Sequence, residues 1–131
     1  MLYMKLSFIL AVVIALASNA FAGPTDGSTP MKISSLEAAN FYGREMIVTG
    51  RVAQVSIRPG IVFLNMDKPY PKSPLTLVIF PAATNQFGNL KAFKGKSVEA
   101  KGKIVNYHNR PEMVLEKANQ LRVTATAGGT N

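Results

Sequence analysis

Three runs of β-favouring residues between Met46 and Phe80 constrain the fold of this chain most strongly. The first two runs are separated by an Arg-Pro-Gly turn at 58–60, and the third follows a loop, 67–74, that contains three prolines. Proline cannot donate a ladder hydrogen bond, so this loop separates strands instead of continuing one. The stretch therefore predicts three successive strands of one sheet.

The same pattern continues beyond Phe80 and predicts an all-β domain with minor helix. Five strands are predicted from alternating apolar residues and from the turn-forming residues between them. They span residues 45–57, 61–66, 75–80, 97–107 and 112–117. Leu121 and Val123 are expected to extend the fifth strand after a break. Gly50, in the middle of the first strand, suggests a bulge or tight bend there.

Two helical segments are also expected. A Ser-x-x-Glu capping sequence at Ser34 predicts a short N-terminal helix that ends at Gly43. Its residues Leu36, Ala39 and Tyr42 would face the sheet. Residues 82–93 are expected to hold a short helix interrupted by a glycine.

The N-terminus indicates export. Lys5 is followed by an apolar run and by an Ala-x-Ala sequence that ends at Ala22, which is the pattern of a cleavable signal peptide. We therefore predict a signal peptide at 1–22, a flexible leader at 23–32, a folded domain at 33–123 and a disordered tail at 124–131. The mature protein would be periplasmic or secreted, with no membrane span after cleavage.

Composition narrows the possible functions. The chain contains no cysteine, which excludes thiolate metal sites, cysteine nucleophiles and disulfides. Fifteen Lys and Arg residues against seven Asp and Glu give a net charge of +8, and loss of Lys5 with the signal peptide would leave +7. A basic surface favours nucleic acid, anionic lipid or acidic polysaccharide as a partner. Simple solubility is the alternative explanation.

The five predicted strands resemble those of an OB-fold domain, of the type that binds tRNA anticodons. The resemblance covers about Gly43 to Val123 and is carried by five segments, 48–55, 62–67, 75–80, 95–104 and 110–115. It implies a five-stranded Greek-key barrel with a short N-terminal helix. It also implies that Phe63 stacks on a base, with Thr76 beside it. Anticodon binders usually carry glutamine at the Thr76 position, so base reading would be less specific here.

Strand alternation predicts which residues share the open face with Phe63. The expected face consists of Thr49, Arg51, Phe63, Asn65, Thr76 and Val78. Flanking loops would add Arg58, Lys68, Tyr70 and Lys72 on one side and Tyr107, His108 and Arg110 on the other. The alternative is that Phe63 packs beneath the proline-rich loop, pinned by Tyr70.

Lys101 and Lys103 share one face of the fourth strand. Such a basic stripe can contact phosphates, but lysines on strands also serve as solvated residues that prevent aggregation. His108 is the only histidine, and no second ligand lies near it in sequence, so no metal or cofactor is expected. The acidic residues do not cluster as a metal-dependent nuclease would require. Catalysis is therefore not expected.

These observations predict an exported, monomeric OB-fold module that binds single-stranded DNA or RNA with little sequence preference. The candidate binding residues are Arg51, Phe63, Asn65, Thr76, Lys101, Lys103, Tyr107 and Arg110. One alternative is an envelope accessory module that binds a peptide, a polysaccharide, a small ligand or another envelope protein in the same groove. A third is attachment to an anionic polymer or surface through the lysine stripe.

Overall fold

A computed structural model describes residues 29–124. The predicted signal peptide, most of the predicted leader and residues 125–131 of the predicted tail lie outside the described residues. Within 29–124 the chain is mostly β, as expected. The strands are β1 (Lys32–Ser34), β2 (Glu45–Arg58), β3 (Ile61–Met66), β4 (Leu75–Ile79), β5 (Ser97–Lys103), β6 (Val105–Tyr107), β7 (Arg110–Val114) and β8 (Leu121–Val123).

The strands follow the order β6-β7-β4-β3-β2-β5-β8, and β1 pairs with β2 in parallel. The prediction of five strands is therefore wrong, because the described residues form eight. The β2–β3–β4 meander agrees with the three predicted runs, and both of its pairings are antiparallel. Gly60, at the β2–β3 turn, has φ +89°, as the third residue of a type II turn requires.

The predicted fourth strand changes partner at Ile104. Its first part, β5, pairs with β2, whereas its second part, β6, pairs with β7. Ile104, between them, bonds to the residues that precede β2: its N–H donates to the Arg44 carbonyl at 3.0 Å, and its carbonyl accepts from the Gly43 N–H at 2.6 Å. One continuous segment therefore pairs with strands that are far apart in the sheet order.

β8 does not extend the fifth predicted strand. It pairs antiparallel with β5, on the side of β5 away from β2. The Gln120 side chain redirects the chain before β8: its Oε1 accepts from the Glu116 and Lys117 N–H groups at 2.7 and 2.9 Å, and its Nε2 donates to the Lys101 carbonyl at 3.0 Å. Val114, on β7, instead ends a strand that runs parallel to β4.

The predicted N-terminal helix is a 3₁₀ helix, Ser35–Asn40, capped by Ser34 as its sequence indicated. Its buried residues are Ser35 and Ala38. Of the predicted inward face, Tyr42 packs against the core, but Leu36 is 70% exposed and Ala39 is exposed as well. The three-residue repeat of a 3₁₀ helix turns Ser35 and Ala38 inward instead. Later short helices span Pro81–Thr84 (α1), Leu90–Phe93 (3₁₀) and Ala118–Gln120 (3₁₀).

The core contains the residues that strand alternation turned inward. The largest fully buried side chains are Met46, Leu64, Met66, Leu75, Leu77, Ile79, Ile104, Met113, Leu115, Val48, Val52 and Val98. Every one of them lies on a strand or directly beside one. The opposite face of β2, β3, β4 and β7 is left free to carry polar residues. Within residues 29–124, no helix has the length and apolar character needed to cross a membrane.

A β-bulge in β2 determines which residues reach that free face. Val52 pairs with Met66 and Gln54 pairs with Asn65, so Ala53 is an extra residue without a partner. An added residue reverses the alternation that follows it. The bulge of β2 therefore lies at Ala53 and not at Gly50, since Gly50 pairs regularly with Val98.

Candidate functional site: a groove across four strands

A groove of about 570 Å³ lies on the sheet face opposite the core. This volume is within the range of small-molecule pockets. Strands β2, β3, β4 and β7 form its floor, and the loops at 67–74 and 107–110 stand at its sides. Its lining residues are Gln54, Ser56, Arg58, Phe63, Asn65, Tyr70, Thr76, Tyr107, His108, Arg110 and Glu112.

The strand pairing explains why these residues meet. Gln54 pairs with Asn65, Asn65 with Thr76, and Thr76 with Glu112, so these four form one row across four strands. Directly paired residues point to the same face of a sheet. In the neighbouring row Phe63 pairs with Ser56 and Val78. The floor of the groove is therefore a polar row beside an aromatic residue.

Asn65 is the centre of a hydrogen-bond network. Its Nδ2 donates to Gln54 Oε1 at 2.8 Å, and its Oδ1 accepts from the hydroxyls of Thr76 at 2.7 Å and Ser73 at 3.2 Å. Gln54 Oε1 also accepts the Tyr70 backbone N–H at 2.9 Å. Asn65 is only 2% exposed. The network therefore ties the proline-rich loop to the strands, and the oxygens of both side-chain amides already accept two hydrogen bonds each.

Aromatic and basic side chains rise from both sides of the groove. The Arg110 Cζ lies 4.7 Å from the centre of the Tyr70 ring, which is a cation–π distance. Tyr107 and His108 stack edge to face with their ring centres 4.3 Å apart. Tyr70 is 65% exposed and Tyr107 is 55% exposed, so aromatic surface is open to a ligand. Phe63 is half-buried.

The β6–β7 turn holds Tyr107 opposite Arg110. Its two central residues, His108 and Asn109, have φ values of +50° and +65°, as in the type I′ turn that suits a two-residue hairpin. The Asn106 side chain strengthens the turn, because its Oδ1 accepts the Asn109 N–H at 2.8 Å. Tyr107 and Arg110 are consequently a paired position of the two strands.

Glu112 is the acidic residue of the groove. Partial burial raises the pKa of the Glu112 carboxyl, and the positive charges of His108 and Arg110 oppose this rise. Within residues 29–124, the structure gives the Glu112 side chain no hydrogen bond and no ion pair. Its two oxygens are therefore acceptors that a ligand can use.

The structure brings five of the eight predicted binding residues to the groove, namely Phe63, Asn65, Thr76, Tyr107 and Arg110. Arg51, Lys101 and Lys103 are not among its lining residues. Arg51 precedes the bulge, and its Nε donates to the Gly95 carbonyl at 3.1 Å. The two lysines lie on β5, paired with Ile47 and Glu45 in the part of β2 that precedes the bulge.

Three further expectations about the open face are corrected. Asn65 was expected to face solvent but is buried in the network described above. Val78 lies in the same row as Phe63 but is 2% exposed. Thr49, like Arg51, precedes the bulge, and its hydroxyl donates to the Ile33 carbonyl at 3.3 Å, within the β1–β2 pair. It therefore supports β1 and does not line the groove.

Sequence reasoning missed Gln54, Ser56 and Glu112 as groove residues. Alternation continued from Val52 would turn the first two toward the core, and no residue of β2 indicates the bulge at Ala53 that reverses it. Glu112 had a readable signal: it precedes the inward-facing Met113 in the same strand, so alternation turns it outward. Within the described part of the chain, no three His, Asp or Glu side chains come together to hold a metal ion.

No protein-family model matches the chain, and no curated protein matches it either. The chain is similar in structure to an OBody, AM2EP06, solved bound to hen egg-white lysozyme, with 14% identity, a TM-score of 0.49, and coverage of 71% of this chain and 92% of the OBody. It is also similar to the asparaginyl-tRNA synthetase of Pyrococcus horikoshii, with 17% identity, a TM-score of 0.46, and coverage of 68% of this chain and 21% of that one.

A Leishmania major protein assigned as an aspartyl-tRNA synthetase shares 10% identity with the chain, at a TM-score of 0.50. The match covers 89% of this chain and 26% of that protein. At this identity the likeness concerns the fold alone. It agrees with the OB-like fold that the strand sequences suggested.

Proposed function

We infer that the chain is an exported OB-fold module that binds single-stranded nucleic acid, without catalysis, in the groove of β2, β3, β4 and β7. The sheet would then be the OB barrel, closed where the segment 97–107 passes from β2 to β7. The observation that carries this proposal is the combination of open aromatic rings and arginines in one groove.

The chemistry of single strands fits this lining. Bases stack on aromatic side chains irrespective of sequence, and cations follow the phosphate backbone. Phe63, Tyr70 and Tyr107 supply rings, and Arg58 and Arg110 supply fixed positive charges beside them. Because the Asn65 amide is occupied by Gln54, Thr76 and Ser73, the centre of the floor offers a base few free hydrogen-bonding groups. This arrangement supports binding with little sequence preference.

The proposal is tested by fluorescence anisotropy of the full chain with labelled dT and U oligonucleotides. We expect binding at low salt, with a plot of log affinity against log salt that falls by about 0.7 for each phosphate neutralised. Incubation with Mg²⁺ or Ca²⁺ should leave the oligonucleotides uncut. Absence of binding to both oligonucleotides at low salt would reject the proposal.

Export is part of the same proposal and has its own test. The mass of the protein recovered from the periplasm or the medium should correspond to a chain that begins at Gly23. Retention of residues 1–22 in the recovered protein would contradict the predicted cleavage.

A second candidate is an envelope accessory module that binds a small ligand or a peptide in this groove. The observation that favours it is Glu112, because a carboxylate repels a phosphate backbone and attracts a cationic group. If this candidate is right, Glu112 makes no contact with a base. Glu112→Gln should then strengthen oligonucleotide binding by the same factor for every base, because it removes only the repulsion of the phosphates.

A further inference from the structure

Glu112 gives the groove hydrogen-bond acceptors at a fixed position. Its carboxylate oxygens accept no hydrogen bond within residues 29–124, whereas the Oδ1 of Asn65, in the same row, already accepts from Ser73 and Thr76. Thr76, which pairs with Glu112, already donates its hydroxyl to Asn65. Glu112 is therefore the acceptor of this row that remains available to a ligand.

The strand register places Glu112 within reach of a base stacked on Phe63. Phe63 lies on β3 and Glu112 lies on β7, with β4 between them. Phe63 pairs with Val78 of β4, and Glu112 pairs with Thr76 of β4. Thr76 and Val78 are two residues apart. The positions of Phe63 and Glu112 are therefore separated by about 10 Å across the sheet and about 7 Å along it. Both side chains line the same groove, so a planar ring on Phe63 can present its edge to Glu112.

A carboxylate distinguishes the four bases by their donors. An ionised carboxylate only accepts hydrogen bonds, and it binds most strongly to two adjacent N–H groups. Guanine offers such a pair on its Watson–Crick edge, N1–H and N2–H. Cytosine and adenine each offer one exocyclic amine, and thymine or uracil one ring N–H. Guanine also has an O6 acceptor next to this pair, and Arg110, two residues from Glu112 on β7, is a donor lining the same groove.

We propose that Glu112 binds the Watson–Crick edge of guanine, so that the groove prefers a single strand with guanine at the position stacked on Phe63. This inference rests on the proposed function and refines it, because one nucleotide site prefers guanine while the remaining contacts to the strand stay independent of sequence. Single-stranded bases expose the edge that this contact requires.

The test uses labelled thymidine 9-mers whose central base is thymine, cytosine, adenine, guanine or hypoxanthine. The full chain should bind the guanine strand at least about fivefold more tightly than the thymine strand, the lower limit for a bidentate contact. Hypoxanthine, which lacks the N2 amine, should lose most of this preference. Adenine controls for the larger stacking surface of a purine and should bind like thymine.

Variants of Glu112 show whether the carboxylate is responsible. Glu112→Gln should remove the guanine preference while leaving binding to the thymine strand in place, and Glu112→Asp, which keeps the carboxylate, should retain part of it. Glu116→Gln is the matched control, since Glu116 is exposed and lies outside the groove. A thermal melt checks that each variant is folded.

The outcomes separate this inference from the proposed function. If the thymine strand binds and all five central bases bind equally, guanine recognition is wrong and nucleic-acid binding stands. An unchanged guanine preference in Glu112→Gln would likewise remove Glu112 from the site. If no strand binds at low salt, both proposals are wrong.

Discussion

The Asn65 amide donates to Gln54 Oε1 at 2.8 Å, across the β2–β3 pair and one residue beyond the bulge. The same oxygen of Gln54 accepts the Tyr70 backbone N–H, so one side chain joins two strands and the loop that borders the groove. The shape of the groove depends on this polar contact.

Asn65→Ala should destabilise the protein by about 2–4 kcal/mol, since it removes three hydrogen bonds at a buried position and leaves their partners unsatisfied. Urea unfolding followed by circular dichroism measures the change. Asn85→Ala is the control, because Asn85 is exposed, and it should stay within about 0.5 kcal/mol of the wild type. Equal stabilities of the two variants would show that the network contributes nothing.

Gly50→Ala should cost about 1–3 kcal/mol through overpacking. A Cβ at this position would lie 2.5 Å from Asp67 Oδ2 and 2.7 Å from Met66 Cε. Asp67 cannot yield freely, because its carboxylate accepts from the Arg51 backbone N–H and from the Ser35 hydroxyl. Gly102→Ala is the comparison: its Cβ would meet the flexible Met113 side chain at 3.0 Å, so we expect a smaller loss. The reverse order in urea unfolding would contradict the explanation.

Low pH should reduce the stability of the folded protein by protonating Glu99. Hydrogen bonds from Lys32 and Arg122, with N–O distances of 2.7 and 2.5 Å, lower the pKa of this carboxyl below its ordinary value of 4.5. A lowered pKa in the folded state gives stability that is present above pH 4.5 and is lost as the pH falls through the folded-state value. Glu99→Gln should therefore reduce stability at pH 7 and flatten the acid limb of a stability–pH curve. Identical curves for the variant and the wild type would refute this role.

Phe63→Ala should weaken binding to a dT oligonucleotide by about 1–3 kcal/mol, the usual contribution of one stacked base. Phe80→Ala is a suitable control, because Phe80 is 47% exposed and does not line the groove. Anisotropy titrations at constant salt give both values. Equal losses in the two variants would show that Phe63 acts through the fold and not through stacking.

The salt dependence of oligonucleotide affinity should come from the arginines of the groove. Replacing Arg58 or Arg110 with Gln should reduce the salt dependence of log affinity by about 0.7 for each phosphate contact removed. Lys101→Gln with Lys103→Gln should leave it unchanged, because both lysines lie outside the groove. If the lysine variant loses binding and the arginine variants do not, the oligonucleotide binds the lysine stripe of β5 and not the groove.

Most of the strand interior could be predicted from the sequence, because it follows strand alternation. Val98, Ala100 and Ile104 occupy alternate positions of the predicted fourth strand, and all three are buried. Alternation also placed Phe63 and Thr76 on the groove face. In these strands no residue is inserted, so counting by twos is sufficient.

Prediction failed where a tertiary interaction overrides local pattern. The bulge at Ala53 turns Gln54 and Ser56 to the groove in place of Val55 and Ile57, and no turn-forming residue marks it in the sequence. The partner of β8 depends on the Gln120 side chain, which holds the chain against Lys101 on β5. Contacts of this kind join residues distant in sequence, so a local reading does not reveal them.

The unpaired Ala53 also determines which residues of β2 should be varied to change the ligand that the groove binds. A library of variants that randomises alternate positions from Thr49 onward would diversify the wrong side of β2 as soon as it passed residue 53. Randomisation should count from Gln54 and proceed through Ser56 and Arg58, all of which line the groove. Deleting Ala53, by contrast, would exchange the two sides of the remaining strand in a single step, and so convert a polar binding surface into an apolar one.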